Sequence, residues 1–276
     1  MSRHSNLKKF TTVNRPRKGV YILPNLLTTA GLFAGFFAIV QATVGNYSSA
    51  AIAIFVVMIM DALDGRVARI TSTASDFGKE YDSLADMIAF GLAPALVVYE
   101  WGLKDTGRIG WLVAFIFVAA TALRLARFNT LQARDKRYFQ GLPSPMAASV
   151  VAAGIWIVDS VDVSTNLATN VGIILMVVLA LAMVSSMPYR SFKDVDVRDR
   201  IPFAGLFVVV FLFALVSFDP PRVLFLISSV YFLSGPTIWF IRRIRRVRRI
   251  WGIRNRRGSQ RDSTISLEEK GKTRRA

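Results

Sequence analysis

Apolar runs of about 17 to 25 residues recur from one end of this chain to the other, each long enough to cross a hydrocarbon core as a helix. Nothing else in the sequence restricts the fold so tightly. Hydropathy places about eight such spans, at 23–45, 47–69, 81–101, 109–131, 145–158, 167–187, 201–218 and 222–241, the fifth of them short. The expected fold class is an all-α integral membrane protein, a polytopic helical bundle of about eight transmembrane helices with basic juxtamembrane segments at both termini. Residues 1–22 read as a basic cytoplasmic arm, 23–193 as the transmembrane core, 194–241 as two additional helices and 242–276 as a basic cytoplasmic tail. The arm is too long and too basic, and the first apolar run too long, for a cleavable signal peptide.

A hydrophobic fraction of 53% and a mean hydropathy of +0.42 agree with that class. The absence of cysteine removes disulfides, thiolate nucleophiles and Cys-ligated metals. The only histidine, His4, lies in the polar arm, so a Ser-His-Asp triad or a His-ligated metal has nothing to build on. Any chemistry must run on carboxylates, Lys, Arg, Ser or Tyr.

A net charge of +17 raises the question of nucleic acid, but the charges sit beside the membrane spans. After Phe240 there are 14 Lys or Arg residues against three acids, and Ile241, Ile244, Val247 and Ile250 recur every third position. That pattern reads as an amphipathic juxtamembrane helix on anionic lipid, in preference to an RNA-binding tail, and no nucleic-acid partner is expected. From about Gly258 onward the composition reads as disordered.

Connections alternate between basic and nearly neutral, which sets orientation. The arm, the loops bearing Arg66, Arg69 and Lys79, then Arg134, Lys136 and Arg137, then Arg190, Lys193, Arg198 and Arg200, and the tail share one side. That side is expected to be cytoplasmic, in the cell membrane, with both termini on it.

Within this apolar chain stands a fixed register of polar residues: Asp61-x-x-Asp64-Gly65-x-x-Ala68-Arg69, then Gly78-x-x-x-Asp82-x-x-x-Asp86. Residues three and four apart share a helix face, so each half forms a stripe, and the polar stretch 70–77 between them reads as a turn that brings the stripes together. Four carboxylates at membrane depth repel one another unless countercharged, and divalent cations supply that charge. All-oxygen ligands suit Mg²⁺ or Mn²⁺, which leave positions open for water and phosphate oxygens. Gly65 and Ala68 keep the stripe free of bulk, so a flat group such as a nucleotide can approach the backbone, and Arg69 offers a phosphate-matching fork. Asn25 and Thr28, at the start of the first span, are placed either to hydrogen-bond that nucleotide or to begin the helix.

At these eight positions the chain resembles the CDP-alcohol phosphatidyltransferase family, with no departure from its signature. The resemblance implies a membrane-embedded enzyme that moves a phosphatidyl group from a CDP-linked lipid to an alcohol and releases CMP. It further implies that Asp61, Asp64, Asp82 and Asp86 hold two metal ions and that Asp86 takes the proton of the attacking hydroxyl. Gly65, Arg69 and Ser75 would contact the CDP moiety, and a homodimer is expected. Pro24-Asn25-Leu26-Leu27-Thr28, Arg124-Leu125-Ala126-Arg127-Phe128-Asn129, Gly141-Leu142-Pro143-Ser144-Pro145 and Ser191-Phe192-Lys193 are similar to the serine-accepting branch of the family. CDP-diacylglycerol and L-serine are then the expected substrates, with Asn25, Thr28, Arg124, Arg127 and Asn129 as further binding candidates. The last two spans and the tail lie outside the resemblance.

Arg124 sits about two turns inside the membrane and needs an anion. The diphosphate, an aspartate of the cluster and the carboxylate of an amino-acid acceptor each fit it, and only the last would select serine. Arg127 reads either as a ligand or as a positive-inside anchor, and Lys193 as an anchor. Glycerol 3-phosphate or an inositol phosphate is the alternative acceptor, with Arg134, Lys136 and Arg137 available to its phosphate. A carboxylate-lined cation transporter is the alternative of another class.

Overall fold

A computed structural model describes residues 22–71, 73, 75–130, 138–161, 165–190 and 203–244. The arm, the loops at 131–137 and 191–202 and the tail from 245, with the expectations placed on them, lie outside the described residues. The described residues are helical almost throughout. Its helices are α1 (Ile22–Thr43), α2 (Tyr47–Ile70), α3 (Asp76–Thr106), α4 (Arg108–Thr130), α5 (Ser144–Ser160), α6 (Thr165–Val184), α7 (Phe203–Phe218) and α8 (Pro220–Ile244). Five of them, α1, α3, α4, the stretch Asn166–Val184 of α6 and α8, are long and apolar enough to cross a membrane.

Large apolar side chains such as Phe33, Phe36, Phe115, Leu123, Ile174, Leu181 and Phe213 point outward from the bundle. A water-soluble fold would bury them; here they form the surface that a lipid bilayer solvates. Inside, Ile54, Phe90, Leu103, Phe117, Met176, Leu179 and Met183 fill the core. The short helix α5 is central, with Ala147, Ala148, Val150, Val151, Ala152 and Ala153 buried. Its small side chains let α2, α3 and α6 approach closely, and a helix enclosed by protein has no lipid-facing length to satisfy.

Gly31 and Gly35 on α1 do the same. A Cβ at Gly31 would touch Met60 of α2 at 3.5 Å, and one at Gly35 would press on the Ala89 backbone of α3 at 3.2 Å. The pair therefore serves packing within the chain, drawing α1 into the angle between α2 and α3.

Three features depart from the expected spans. Helix α3 begins at Asp76 rather than Tyr81, because Ser75 caps it: its Oγ accepts from the Gly78 N–H at 3.0 Å. Hydropathy finds only the apolar part of a helix, and the first turn here is charged. Directly after Asp86 the helix widens into π turns over Met87–Leu92, before Pro94. The winding ahead of Pro94 is thereby altered, consistent with a proline that offers no N–H to the carbonyl of Phe90.

The third departure is a small antiparallel ribbon in a protein expected to be all α. Strand β1 (Tyr138–Gln140) pairs with β2 (Pro188–Arg190), Phe139 opposite Tyr189. Helix α6 stops at Val184, three residues before the expected limit. Beyond it Met187 accepts from the Gly141 N–H at 2.9 Å, and Leu142 N–H donates to Ala182 at 3.0 Å. Gly141 takes φ +82°, and an added Cβ would collide with the Met183 carbonyl, so only glycine fits this clasp.

Candidate active site

The acids of the register converge. α2 carries Asp61 and Asp64 on its last turns, and α3 carries Asp82 and Asp86. Carboxylate oxygens of Asp61, Asp64 and Asp82 lie within 4.8 Å of one another. Asp86 lines the same cleft, together with Thr28, Gly31, Leu32, Val57, Ala85 and Ala89. The small residues on its walls come from close helix packing, so the packing glycine Gly31 also shapes the site.

Asp64 is buried and takes a 2.8 Å hydrogen bond from Thr28 Oγ1, which also reaches the Pro24 carbonyl at 3.1 Å. Thr28 therefore stands behind a carboxylate, a role the sequence did not suggest. Asn25 packs beside the Ser75 hydroxyl where α3 begins: a Cβ on Gly78 would meet Ser75 Oγ at 3.1 Å and Asn25 Oδ1 at 3.5 Å. Asn25, Ser75 and Gly78 thus form the joint between α1 and α3. Gly65 faces open space, with nothing within 4 Å of an added Cβ, and its carbonyl accepts from Arg69 Nε at 2.8 Å.

Opposite Asp86, Arg124 projects from α4 into the protein. Its Nη1 donates to Ser144 Oγ at 2.8 Å, while its Nε is buried with no hydrogen-bond partner. A buried guanidinium N–H without an acceptor is costly, and such a group marks a place where a ligand belongs. Asp86 and Arg124 are close enough to interact electrostatically, and Asp61, Asp82 and Asp64 act on Asp86 as well.

Arg127 differs from its neighbour on α4. It donates to the carbonyls of Val184 at 3.3 Å and Ser185 at 3.4 Å and to Gln140 Oε1, capping α6 and holding the ribbon. Asn129 donates to Ser83 Oγ at 2.9 Å and ties α4 to α3 beside the aspartates.

The cluster fits divalent ions. It offers only oxygen donors, and the three ion pairs among the described residues, Lys79–Asp76, Lys104–Glu100 and Arg222–Asp219, leave Asp64, Asp82 and Asp86 aside. The floor of the cleft, about 10 Å³, holds a water or a bare ion rather than a phosphate.

Comparison with known proteins agrees with this geometry. The family profile for CDP-alcohol phosphatidyltransferase matches residues 21–188. A CDP-diacylglycerol–serine O-phosphatidyltransferase of Helicobacter pylori is 36% identical over 226 residues, 81% of this chain and 93% of the relative. One of Mycobacterium tuberculosis is 40% identical over 142 residues, 49% of each chain. An archaetidylserine synthase of Methanothermobacter thermautotrophicus is 38% identical over 133 residues, 48% of this chain and 56% of the relative. With the profile covering the acid cluster and the helices that carry it, the chain belongs to the CDP-alcohol phosphatidyltransferase family.

Proposed function

We propose that this protein transfers the phosphatidyl group of CDP-diacylglycerol to the hydroxyl of L-serine, giving phosphatidylserine and CMP. The observation that carries the reading is the convergence of Asp61, Asp64 and Asp82 within 4.8 Å, with Asp86 in the same cleft. The names of the relatives support serine, and so does the unpartnered Nε of Arg124, which suits a carboxylate. Family membership sets aside the cation-transport alternative.

Two Mg²⁺ or Mn²⁺ ions, held by Asp61, Asp64, Asp82 and Asp86, would neutralise the diphosphate and the charge gathering on departing CMP. The rest falls to side chains. Gly65 leaves the backbone open to the nucleotide, Arg69 and Ser75 receive the cytidine diphosphate, and Thr28 fixes the rotamer of Asp64. Arg124 takes the serine carboxylate and turns the hydroxyl toward Asp86, which accepts its proton. The serine oxygen then bonds to the phosphatidyl phosphorus as the bond to the CMP oxygen breaks. With no Cys in the sequence and no His among the described residues, direct attack is simpler than a covalent enzyme intermediate. The apolar groove of about 470 Å³ along α1 and α2, lined by Phe33, Phe37, Ile52, Val56 and Met60, offers a seat for an acyl chain beside the aspartates.

The same reading puts the aspartate end at the cytoplasmic face of the cell membrane, both termini in the cytoplasm, eight helices across the bilayer, a homodimer, and the basic tail on anionic lipid.

Purified protein incubated with CDP-diacylglycerol, Mn²⁺ and one alcohol at a time tests the reading through CMP release. Serine should support turnover, glycerol 3-phosphate and inositol phosphate should not, and EDTA should stop the reaction until Mg²⁺ or Mn²⁺ is restored. Turnover indifferent to chelation would falsify the metal assignment, and release with another alcohol alone would overturn the acceptor.

A further inference from the structure

The family profile ends at residue 188, one position before Tyr189, and α8 lies wholly beyond it. Yet α8 is tied to the acceptor side of the site at several points. Tyr189 is fully buried, and its hydroxyl donates to the Phe232 carbonyl at 3.2 Å. Burial, with Tyr231 beside it, pushes the Tyr189 phenol up to about 12, so the group remains a donor. In return Tyr231 donates to the Arg190 carbonyl at 3.0 Å, and the two rings lie 5.7 Å apart, centre to centre.

Gly235 is pressed flat against the Tyr189 ring, and an added Cβ would fall inside the ring's van der Waals surface. At its other end α8 places Phe225 over Gly154 of α5. A peripheral helix rarely needs such close fitting for solubility in lipid alone, since lipid is as apolar a neighbour as protein.

These contacts grip the segment that sets Arg124. β2 carries Tyr189 and Arg190 and pairs with β1, whose Gln140 accepts from Arg127. Gly141 and Leu142 are clasped to Met187 and Ala182, and two residues later Ser144 accepts from Arg124 Nη1. Helix α8 therefore reaches the guanidinium by a hydrogen-bonded route through the ribbon.

We propose that α8 is a brace for the acceptor site: Tyr231 and Gly235, outside the family domain, are positioning residues that hold Arg124 where it receives the carboxylate of the alcohol substrate. The inference rests on the acceptor role given to Arg124 above. A brace acts on one substrate and not on the other, because the CDP-lipid is held by α1, α2 and α3.

The test is steady-state kinetics on the full chain in detergent–lipid micelles, with serine and CDP-diacylglycerol varied separately. Tyr231→Phe, which removes one hydroxyl, should raise the KM for serine about threefold to tenfold and leave the KM for CDP-diacylglycerol within about twofold. Gly235→Ala should shift the same constant in the same direction and further; should it fail to accumulate, Tyr231→Phe decides alone. Equal changes in both KM values, or none in either, overturn the brace. A wild-type protein that ignores serine and uses another alcohol refutes the acceptor reading instead, and the brace is then judged by that alcohol's KM on the same criterion.

Discussion

Where α2 begins, each acid has a partner to hand: Glu100 is paired with Lys104 at 2.9 Å and Asp159 takes a hydrogen bond from Ser48 at 2.5 Å, while the Tyr47 hydroxyl ties to the Glu100 carbonyl at 3.0 Å. Where α2 ends, Asp64, Asp82 and Asp86 crowd one cleft, and the donor supplied to Asp64 is the neutral hydroxyl of Thr28. The first arrangement satisfies its charges with the chain's own groups and so serves the fold. The second leaves carboxylates to a ligand from outside, and a protein retains such crowding only where it is used.

Replacing acids at the two ends should separate them sharply. Asp86→Asn should lower turnover by about a thousandfold or more with CDP-diacylglycerol binding largely kept, since the variant loses its proton acceptor; CMP release and a lipid-binding assay check this, and unchanged turnover removes Asp86 from the role of base. Next in size, Arg124→Ala should raise the KM for serine about tenfold to a hundredfold, more than that for CDP-diacylglycerol. The reverse ranking would assign the guanidinium to the diphosphate. Thr28→Val keeps the shape and removes the hydrogen bond to Asp64, so turnover should fall about fivefold, the equivalent of roughly 1 kcal/mol, with a higher requirement for Mn²⁺ in the titration. Glu100→Gln, at the end with matched acids, should change turnover by less than about twofold and stability by less than about 1 kcal/mol in thermal unfolding. A large catalytic effect there would erase the distinction between the ends.

Much of this was legible in the residues because helical spacing projects directly into space: Asp61 with Asp64, and Asp82 with Asp86, had to share faces, and a short turn had to bring the faces together. What escaped depends on contacts between distant segments. No local pattern says that Thr28 bonds Asp64, 36 residues away, or that Arg127 caps the carbonyls of Val184 and Ser185. Hydropathy marks where a helix is apolar, so it missed the charged first turn of α3 and could not register the π turns after Asp86. The ribbon of β1 and β2 is three residues to a strand, too short for alternation to announce it. Only the contacts with Met60 and Ala89 show that Gly31 and Gly35 serve packing inside the chain.

The widened winding at Met87–Leu92 has a consequence for how this helix tolerates insertions and deletions. A π turn accommodates a residue more than an α turn, so the extra residue is absorbed without turning the half of α3 that bears Asp82 and Asp86 against the half that inserts Val97 and Val98 into the core. Deleting one residue from this stretch would wind it back to α with the two halves in nearly the same phase, whereas the same deletion from an ordinary α turn would swivel them by about 100°. The π stretch is thus the place where α3 can lose a residue with the acids and the core both still facing inward, and a deletion in the α turns on either side would turn one of them away.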